Sequence, residues 1–280
     1  MKSKKTAVIV FAYNRPSHLK RVLIAVENAK IKNDIYLILD GPKNKIDSVN
    51  QEDIILSIKR FSKNLCKIIK RKKNLGLQES IIKGIDHVTR KYDSVIVLED
   101  DVIPYKGFFE FVTKSLKKFR NDNNISTICG YQFPNFTKAK NEIIPLALPN
   151  FISWGWAIWS DKWREYRRNK QNIYKNANLF LPPFMKKYYK KKYLMKKRRN
   201  IWTLNFMFFN YIKNKKYIFP NISLVKNIGF DGTGVNSKFT SDFQVFDRKI
   251  KKINLNKQIL NKNLTKRQNF IIKKKINYFY

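Results

Sequence analysis

Apolar and polar positions follow a repeating order in the N-terminal part of the chain. Thr6 to Tyr13 is almost wholly β-branched, aliphatic or aromatic and predicts a strand, and Pro16 in the following Asn14-Arg15-Pro16-Ser17 suits the first turn of a helix. Leu19, Val22, Leu23 and Val26 then recur at helical spacing. A second strand, Asp34 to Leu39, breaks at the turn chemistry of Asp40-Gly41-Pro42. Ile54, Ile55, Ile58 and Phe61 mark the next helix, and a third strand runs from about Cys66 to Lys70. After Asn74-Leu75-Gly76-Leu77 comes a helix through Ile81, Ile82, Ile85 and Val88, and then a fourth strand that enters Glu99-Asp100-Asp101. Strands alternating with helices in this way predict an α/β fold: a mostly parallel central sheet, right-handed crossovers and helices on both faces.

The pattern puts each unusual motif at the carboxyl end of a strand, where open α/β sheets bind ligands. Ser94 to Leu98 is a buried-strand run that stops in three adjacent carboxylates. Hard oxygen ligands in that position suit Mg²⁺ or Mn²⁺, although an isolated acidic triplet is equally a solvated turn closing a strand. Further on, Phe151 to Trp159 gathers Trp154, Trp156 and Trp159 around Gly155, followed by Asp161 and Trp163. Such a segment either presents aromatic faces to a sugar, with Gly155 allowing a close backbone approach, or forms a tryptophan-rich core. Asn227 to Gly234 holds Gly229, Gly232 and Gly234 and reads as a loop near phosphate or as a plain surface turn.

Val8-Ile-Val-Phe-Ala-Tyr-Asn-Arg-Pro16, Leu39-Asp-Gly-Pro42, Asn74-Leu-Gly-Leu77, Leu98-Glu-Asp-Asp101 and Trp154-Gly-Trp156, in that order, resemble the nucleotide-sugar glycosyltransferases of GT-A fold. The likeness is to bacterial family-2-type sugar transferases and, around the acidic triplet, to N-acetylglucosaminyltransferase I; it spans roughly residues 6 to 240. The resemblance implies that Arg15 lies near the donor diphosphate and that Asp40 hydrogen-bonds the base. It also implies that Asp101 binds the metal, with Asp100 near the ribose and metal-bound water and Glu99 close to the transferred sugar. Trp154 and Gly155 would form a donor and acceptor wall, and Gly232 would belong to the loop that closes over the nucleotide. The side-chain chemistry is compatible: a guanidinium matches phosphate, and a carboxylate accepts from a base N–H.

In one place the chain departs from that pattern. An inverting transfer needs a general base for the acceptor hydroxyl. The stretch where relatives carry an acid beside a tryptophan reads Arg199-Asn-Ile-Trp202-Thr-Leu-Asn205 here and contains none. Asp231 and Asp161 are the remaining candidates, with Asp161 also placed to cap the helix holding Trp163 and Tyr166. His18 and His87 are the only histidines, so histidine triads and zinc sites have little to build on, and the apolar surroundings of Cys66 and Cys129 suggest unreactive thiols in a reducing compartment.

Length and charge complete the expectations. A chain of 280 residues with 43% hydrophobic residues can bury a sizeable core. We expect a donor-binding half over 1–130, an acceptor-side half of the same catalytic domain over 131–247 with a smaller helical lobe, and a basic extension over 248–280. No apolar run reaches signal-peptide or membrane-span character, so a cytoplasmic location is expected. Fifty-nine basic against 20 acidic residues give a net charge of +39, part of it a general bias towards Lys, Asn and Ile. Pro182 to Arg199 and Phe270 to Tyr280 interleave cations with aromatics and suggest peripheral association with an anionic membrane surface, where a lipid-linked or glycan acceptor would reside. Nucleic acid is not an expected partner, because no recognised module appears and an acidic triplet sits badly in a phosphate groove. The nucleotide-sugar donor, UDP-linked among the candidates, and a divalent ion are expected. The competing classes are a sugar-phosphate nucleotidyltransferase, which lacks here its Gly-rich basic loop after the first strand, and a non-catalytic carbohydrate- or nucleic-acid-binding protein on a degenerate transferase fold.

Overall fold

The computed structural model describes residues 5–59, 65–134, 136–137, 142–148, 150–169, 202–232, 240–241, 243, 245 and 252–256. The first half alternates as its pattern predicts: β1 (Thr6–Ala12), α1 (Pro16–Asn28), β2 (Asp34–Leu39), α2 (Lys45–Lys59), β3 (Leu65–Lys70), α3 (Gly76–Val88) and β4 (Ser94–Glu99). These four strands pair in parallel in the order β3-β2-β1-β4. Nearly every residue of β1, β2 and β4 is buried, as strands covered on both faces must be. Leu19, Val22, Leu23 and Val26 are the buried stripe of α1, and Ile81, Ile82, Ile85 and Val88 lie in that of α3.

Register aligns the strand ends. Ala12 sits beside Leu39, Leu39 beside Lys70, and Phe11 beside Glu99, so the loops after β1, β2, β3 and β4 all emerge from one edge of the sheet. That edge carries every motif noted above for the first half.

The chain then continues with β5 (Val102–Pro104), α4 (Phe108–Lys118), β6 (Ile125–Cys129), β7 (Glu142–Ile143), β8 (Pro145–Leu148) and β9 (Trp156–Trp159). A helix over 160–169, α5, is followed by α6 (Trp202–Ile212), β10 (Lys216–Pro220), β11 (Val225–Asn227) and β12 (Lys252–Ile253). The described part of the second half extends the same sheet to eight strands, β3-β2-β1-β4-β9-β6-β10-β8, with β9 antiparallel to both its neighbours. It is therefore built on strands as much as on helices; residues 170–201, including the basic segment 182–199, lie outside the described residues, as does the basic segment 270–280. Of the expected basic extension, Lys252–Ile253 pairs in parallel with β7. No described helix is long and apolar enough to cross a membrane.

The tryptophan-rich segment resolves in favour of packing. Trp156, Trp159 and Trp163 are fully buried, and Trp156 stacks on Trp202 with ring centroids 5.5 Å apart. Phe151, Tyr166 and Phe206 join them edge-on or tilted, an arrangement aromatic quadrupoles favour. Trp202, in the stretch that lacks an acid, thus belongs to the core. Cys129 is buried there too, which pushes its thiol up to about 12 and makes it inert.

Candidate active site

The acidic triplet lies at the carboxyl edge as β4 ends. Glu99 is half-buried and Asp100 buried. The only cation bonded to the triplet among the described residues is Arg15, at the N-terminal boundary of α1: its Nη2 donates to Asp100 Oδ1 and, at 2.8 Å, to Asp101 Oδ2. The Tyr13 backbone N–H also points at Asp100, at 3.4 Å. Burial, then the charge of Asp101, pushes the Asp100 carboxyl up against the opposing pull of Arg15; burial and the two aspartates push Glu99 up further. Burial works against the charge of Arg15, but Asp100 and Asp101 outweigh it and keep the guanidinium protonated. Its Nη1 is buried without a hydrogen-bond partner.

A strand from the far end of the chain completes this edge. β11 pairs antiparallel with β5, Asn227 opposite Val102, and the Ile228 N–H then donates to Asp101 O at 2.8 Å. The next residue, Gly229, comes so close that a Cβ there would lie 2.2 Å from Asp101 Oδ2, so only glycine fits against the carboxylate. Asn227 Oδ1 accepts from the Gly229 N–H at 2.7 Å and holds this approach. Two residues on, Asp231 Oδ2 is 3.0 Å from Nε2 of His18, one helical turn beyond Arg15 on α1. α1 therefore reaches the triplet with one side chain and the glycine-rich segment with the next. Neither Gly229 nor His18 figured among the sequence candidates; their signals were a glycine inside Asn227–Gly234 and the three-residue spacing from Arg15.

The remaining candidates fall into place differently. Asp40 is buried, and its carboxylate accepts from the backbone N–H groups of Leu75 (3.0 Å) and Gly76 (2.9 Å), so it caps the start of α3. Asn74 Nδ2 donates to Gly41 O at 2.7 Å, tying the same two loops. Trp154 is 9% exposed and packs edge-on against Tyr131 and Phe230, which seats the segment leading to Asp231. Gly155, at φ +62°, is needed for close approach to the protein itself: a Cβ would meet Val225 Cγ1 at 2.7 Å. Gly232 is exposed, at φ +89°, with open space where a side chain would be.

Asp161 requires a correction. β9 runs antiparallel to β4 with Trp159 opposite Ser94, so Asp161 lies beyond the amino end of β4 while the triplet lies at its carboxyl end. At about 3.3 Å per residue the six residues of β4 put roughly 16 Å between the two. Asp161 pairs there with both Nη atoms of Arg120, each at 3.0 Å. It starts α5 and is not a base for this site.

The side chains present suit a divalent ion that brings most of its own ligands. Asp101 presents hard oxygen at the crevice with Asp100 beside it, but among the described residues no group of three or more His, Cys, Asp or Glu is disposed to hold a metal alone. One or two carboxylates completed by phosphate oxygens and water are what Mg²⁺ or Mn²⁺ takes.

An acidic strand end on a mostly parallel sheet, faced by an arginine from the first loop and a glycine-bearing strand from the second half, defines a GT-A-type α/β protein. Residues 7–211 match the model of glycosyl transferase family 2, and the chain belongs to that family. Similar solved structures include a mannosyltransferase from Pyrobaculum calidifontis in complex with GDP-mannose and Mn²⁺: 12% identity, 60% of this chain and 47% of that one covered, TM-score 0.44. Another is glucosyl-3-phosphoglycerate synthase from Mycobacterium tuberculosis with Mn²⁺, UDP and glucosyl-3-phosphoglycerate: 11% identity, 57% and 58% covered, TM-score 0.39. The chain thus spans about half the length of these structures. No curated protein matches the sequence.

Proposed function

We propose that the protein is a metal-dependent glycosyltransferase that moves a sugar from a nucleoside-diphosphate donor to a glycan or lipid-linked acceptor with inversion. The observation that carries this reading is the single guanidinium of Arg15 set against Asp100 and Asp101 at the carboxyl edge. Three adjacent carboxylates with one cation leave a local deficit of positive charge in a protein of net charge +39, and that deficit supports a cation site here. A divalent ion held by Asp101, with Asp100 beside it, would neutralise the diphosphate charge that develops as the nucleotide leaves. Arg15, through its unpartnered Nη1, donates to a phosphate oxygen. Asp231, which lies 3.0 Å from His18 Nε2, takes the proton of the acceptor hydroxyl as that oxygen attacks the anomeric carbon. The anionic membrane surface as the place of the acceptor rests on the basic segments 182–199 and 270–280.

A screen of nucleotide sugars for metal-dependent thermal stabilisation tests the donor, since a ligand at 100 times its Kd stabilises by about 2.7 kcal/mol. Sugar transfer is then followed under saturating donor for wild type and Asp231→Asn. The expected loss of turnover is about 10²- to 10⁴-fold with donor affinity nearly constant, the usual contribution of a general base. Full turnover by the variant removes Asp231 from this role; donor binding without any transfer by the wild type favours a binding module over an enzyme.

A further inference from the structure

The buried side of α2 is unusual for a surface helix. Its buried residues are Asp47, Gln51, Ile54 and Ile58, one stripe at helical spacing whose N-terminal half is polar and whose C-terminal half is apolar. The polar half faces the loops at the carboxyl edge. Asp47 accepts from Tyr13 Oη, from Asn14 Nδ2 at 2.6 Å and from the Lys43 N–H at 3.0 Å. Burial, then the Asp47 hydrogen bond, pushes the Tyr13 hydroxyl up to about 12, so it remains a donor at neutral pH. Gln51, with no exposed surface, donates from one Nε2 to Tyr13 O at 3.1 Å and to Asp40 O at 2.7 Å.

Both atoms that face the Gln51 amide nitrogen are carbonyl oxygens, so its orientation is forced. Its Oε1 is left buried with no hydrogen-bond partner. A leucine or methionine at this position would avoid that unsatisfied acceptor, whose burial without a partner disfavours the fold. What glutamine alone supplies is a clamp between the end of β1 and the end of β2. Through Asp40, which holds the Leu75 and Gly76 amides, the clamp extends to the loop after β3.

We infer that Asp47 and Gln51 make the N-terminal half of α2 a positioning element for the donor site: they fix the 13–15 loop relative to the 40–43 loop, and with it the aim of Arg15 at Asp100 and Asp101. Neither residue touches the triplet. The assignment of the donor to these loops rests on the glycosyltransferase reading, whereas the mechanical coupling between them does not.

The test uses the full chain with Gln51→Leu and, as a variant that keeps the core intact, Tyr13→Phe. Amide hydrogen exchange reads the coupling without any ligand. In Gln51→Leu, exchange at Lys43, Leu75 and Gly76 should accelerate about tenfold or more, while the amides of β4 keep wild-type protection; Tyr13→Phe should accelerate Lys43 and leave Leu75 and Gly76 unchanged. Unaltered exchange at these loops, or a uniform rise across the sheet, overturns the inference. Calorimetry with UDP or GDP in the presence of Mn²⁺ reads the consequence: the Kd for the nucleotide should rise about tenfold in Gln51→Leu, and an unchanged Kd overturns the link to the donor site. If exchange changes as expected but the wild type binds neither nucleotide, the coupling stands and the glycosyltransferase reading falls.

Discussion

The two ends of β4 are built from the same kinds of polar side chain and do opposite things with them. At the amino end, Ser94 Oγ lies 2.7 Å from Thr6 Oγ1, Tyr92 Oη donates to Asp34 at 2.5 Å, and Asp161 is paired with Arg120. There Asp34 and Asp161 each face their own donor. At the carboxyl end, Glu99, Asp100 and Asp101 crowd together, and Asp100 and Asp101 share Arg15. Burial and then neighbouring negative charge raise the Glu99 and Asp100 carboxyls, a condition proteins retain where charge is used. The comparison separates a carboxylate that holds structure from one that is held by it.

The sharpest way to break this contrast is Asp101→Ala. If Asp101 is the metal ligand, metal-dependent nucleotide binding and transfer should fall by more than about 10²-fold, the upper range for losing even a group one step removed from an ion. The thermal midpoint should change little, because losing the Arg15 contact to Asp101 is offset by relief of repulsion on Asp100. Equal activity over a Mn²⁺ titration would make the carboxyl end as structural as the amino end.

Asp40→Ala asks the intermediate question, since Asp40 lies at the carboxyl edge yet caps α3. Loss of its bonds to Leu75 and Gly76 should lower stability by about 0.5–2 kcal/mol, read from denaturant unfolding. A donor Kd that rises far more than this destabilisation explains would restore direct recognition of the base.

Asp161→Asn should have the smallest effect. Burial tends to raise the Asp161 carboxyl, but the Arg120 hydrogen bonds and charge outweigh it and hold it below the ordinary range. The pair is half-exposed, so its worth is about 0.2–1 kcal/mol. A lowered folded-state pKa means that this contribution is complete above about pH 4 and disappears as pH falls through the folded value. The difference in Tm between wild type and variant should therefore shrink in acid, with turnover unchanged at neutral pH; a loss of turnover would contradict the placement of Asp161 at the far edge.

Much of this was legible in the residues. The apolar runs of β1, β2 and β4 and the helical stripes of α1 and α3 stand in the structure where their periodicity puts them, because covering both faces of a parallel sheet leaves few other arrangements. The triplet was legible for the same reason: an apolar strand cannot continue through Glu99-Asp100-Asp101. Trp156, Trp159 and Trp163 were ambiguous, since an aromatic run suits a sugar wall and a core equally until its neighbours are known. Gln51 was invisible, because a polar residue on a predicted surface helix carries no sign that it is buried against two backbone carbonyls.

By itself the sequence determined the alternation of elements, the strand-end motifs and family membership, all of which depend on short-range patterns of side-chain size and polarity. Only the tertiary structure decided what each charge meets. Asp101 is flanked by Arg15 from the start of the chain and by Gly229 from near its end, while Asp161, a candidate base alongside Asp231 in the sequence, is carried to the opposite edge by one antiparallel strand. Partnership between distant segments follows from sheet order and register, and a carboxylate becomes a ligand, a base or a cap according to the donors that register delivers to it.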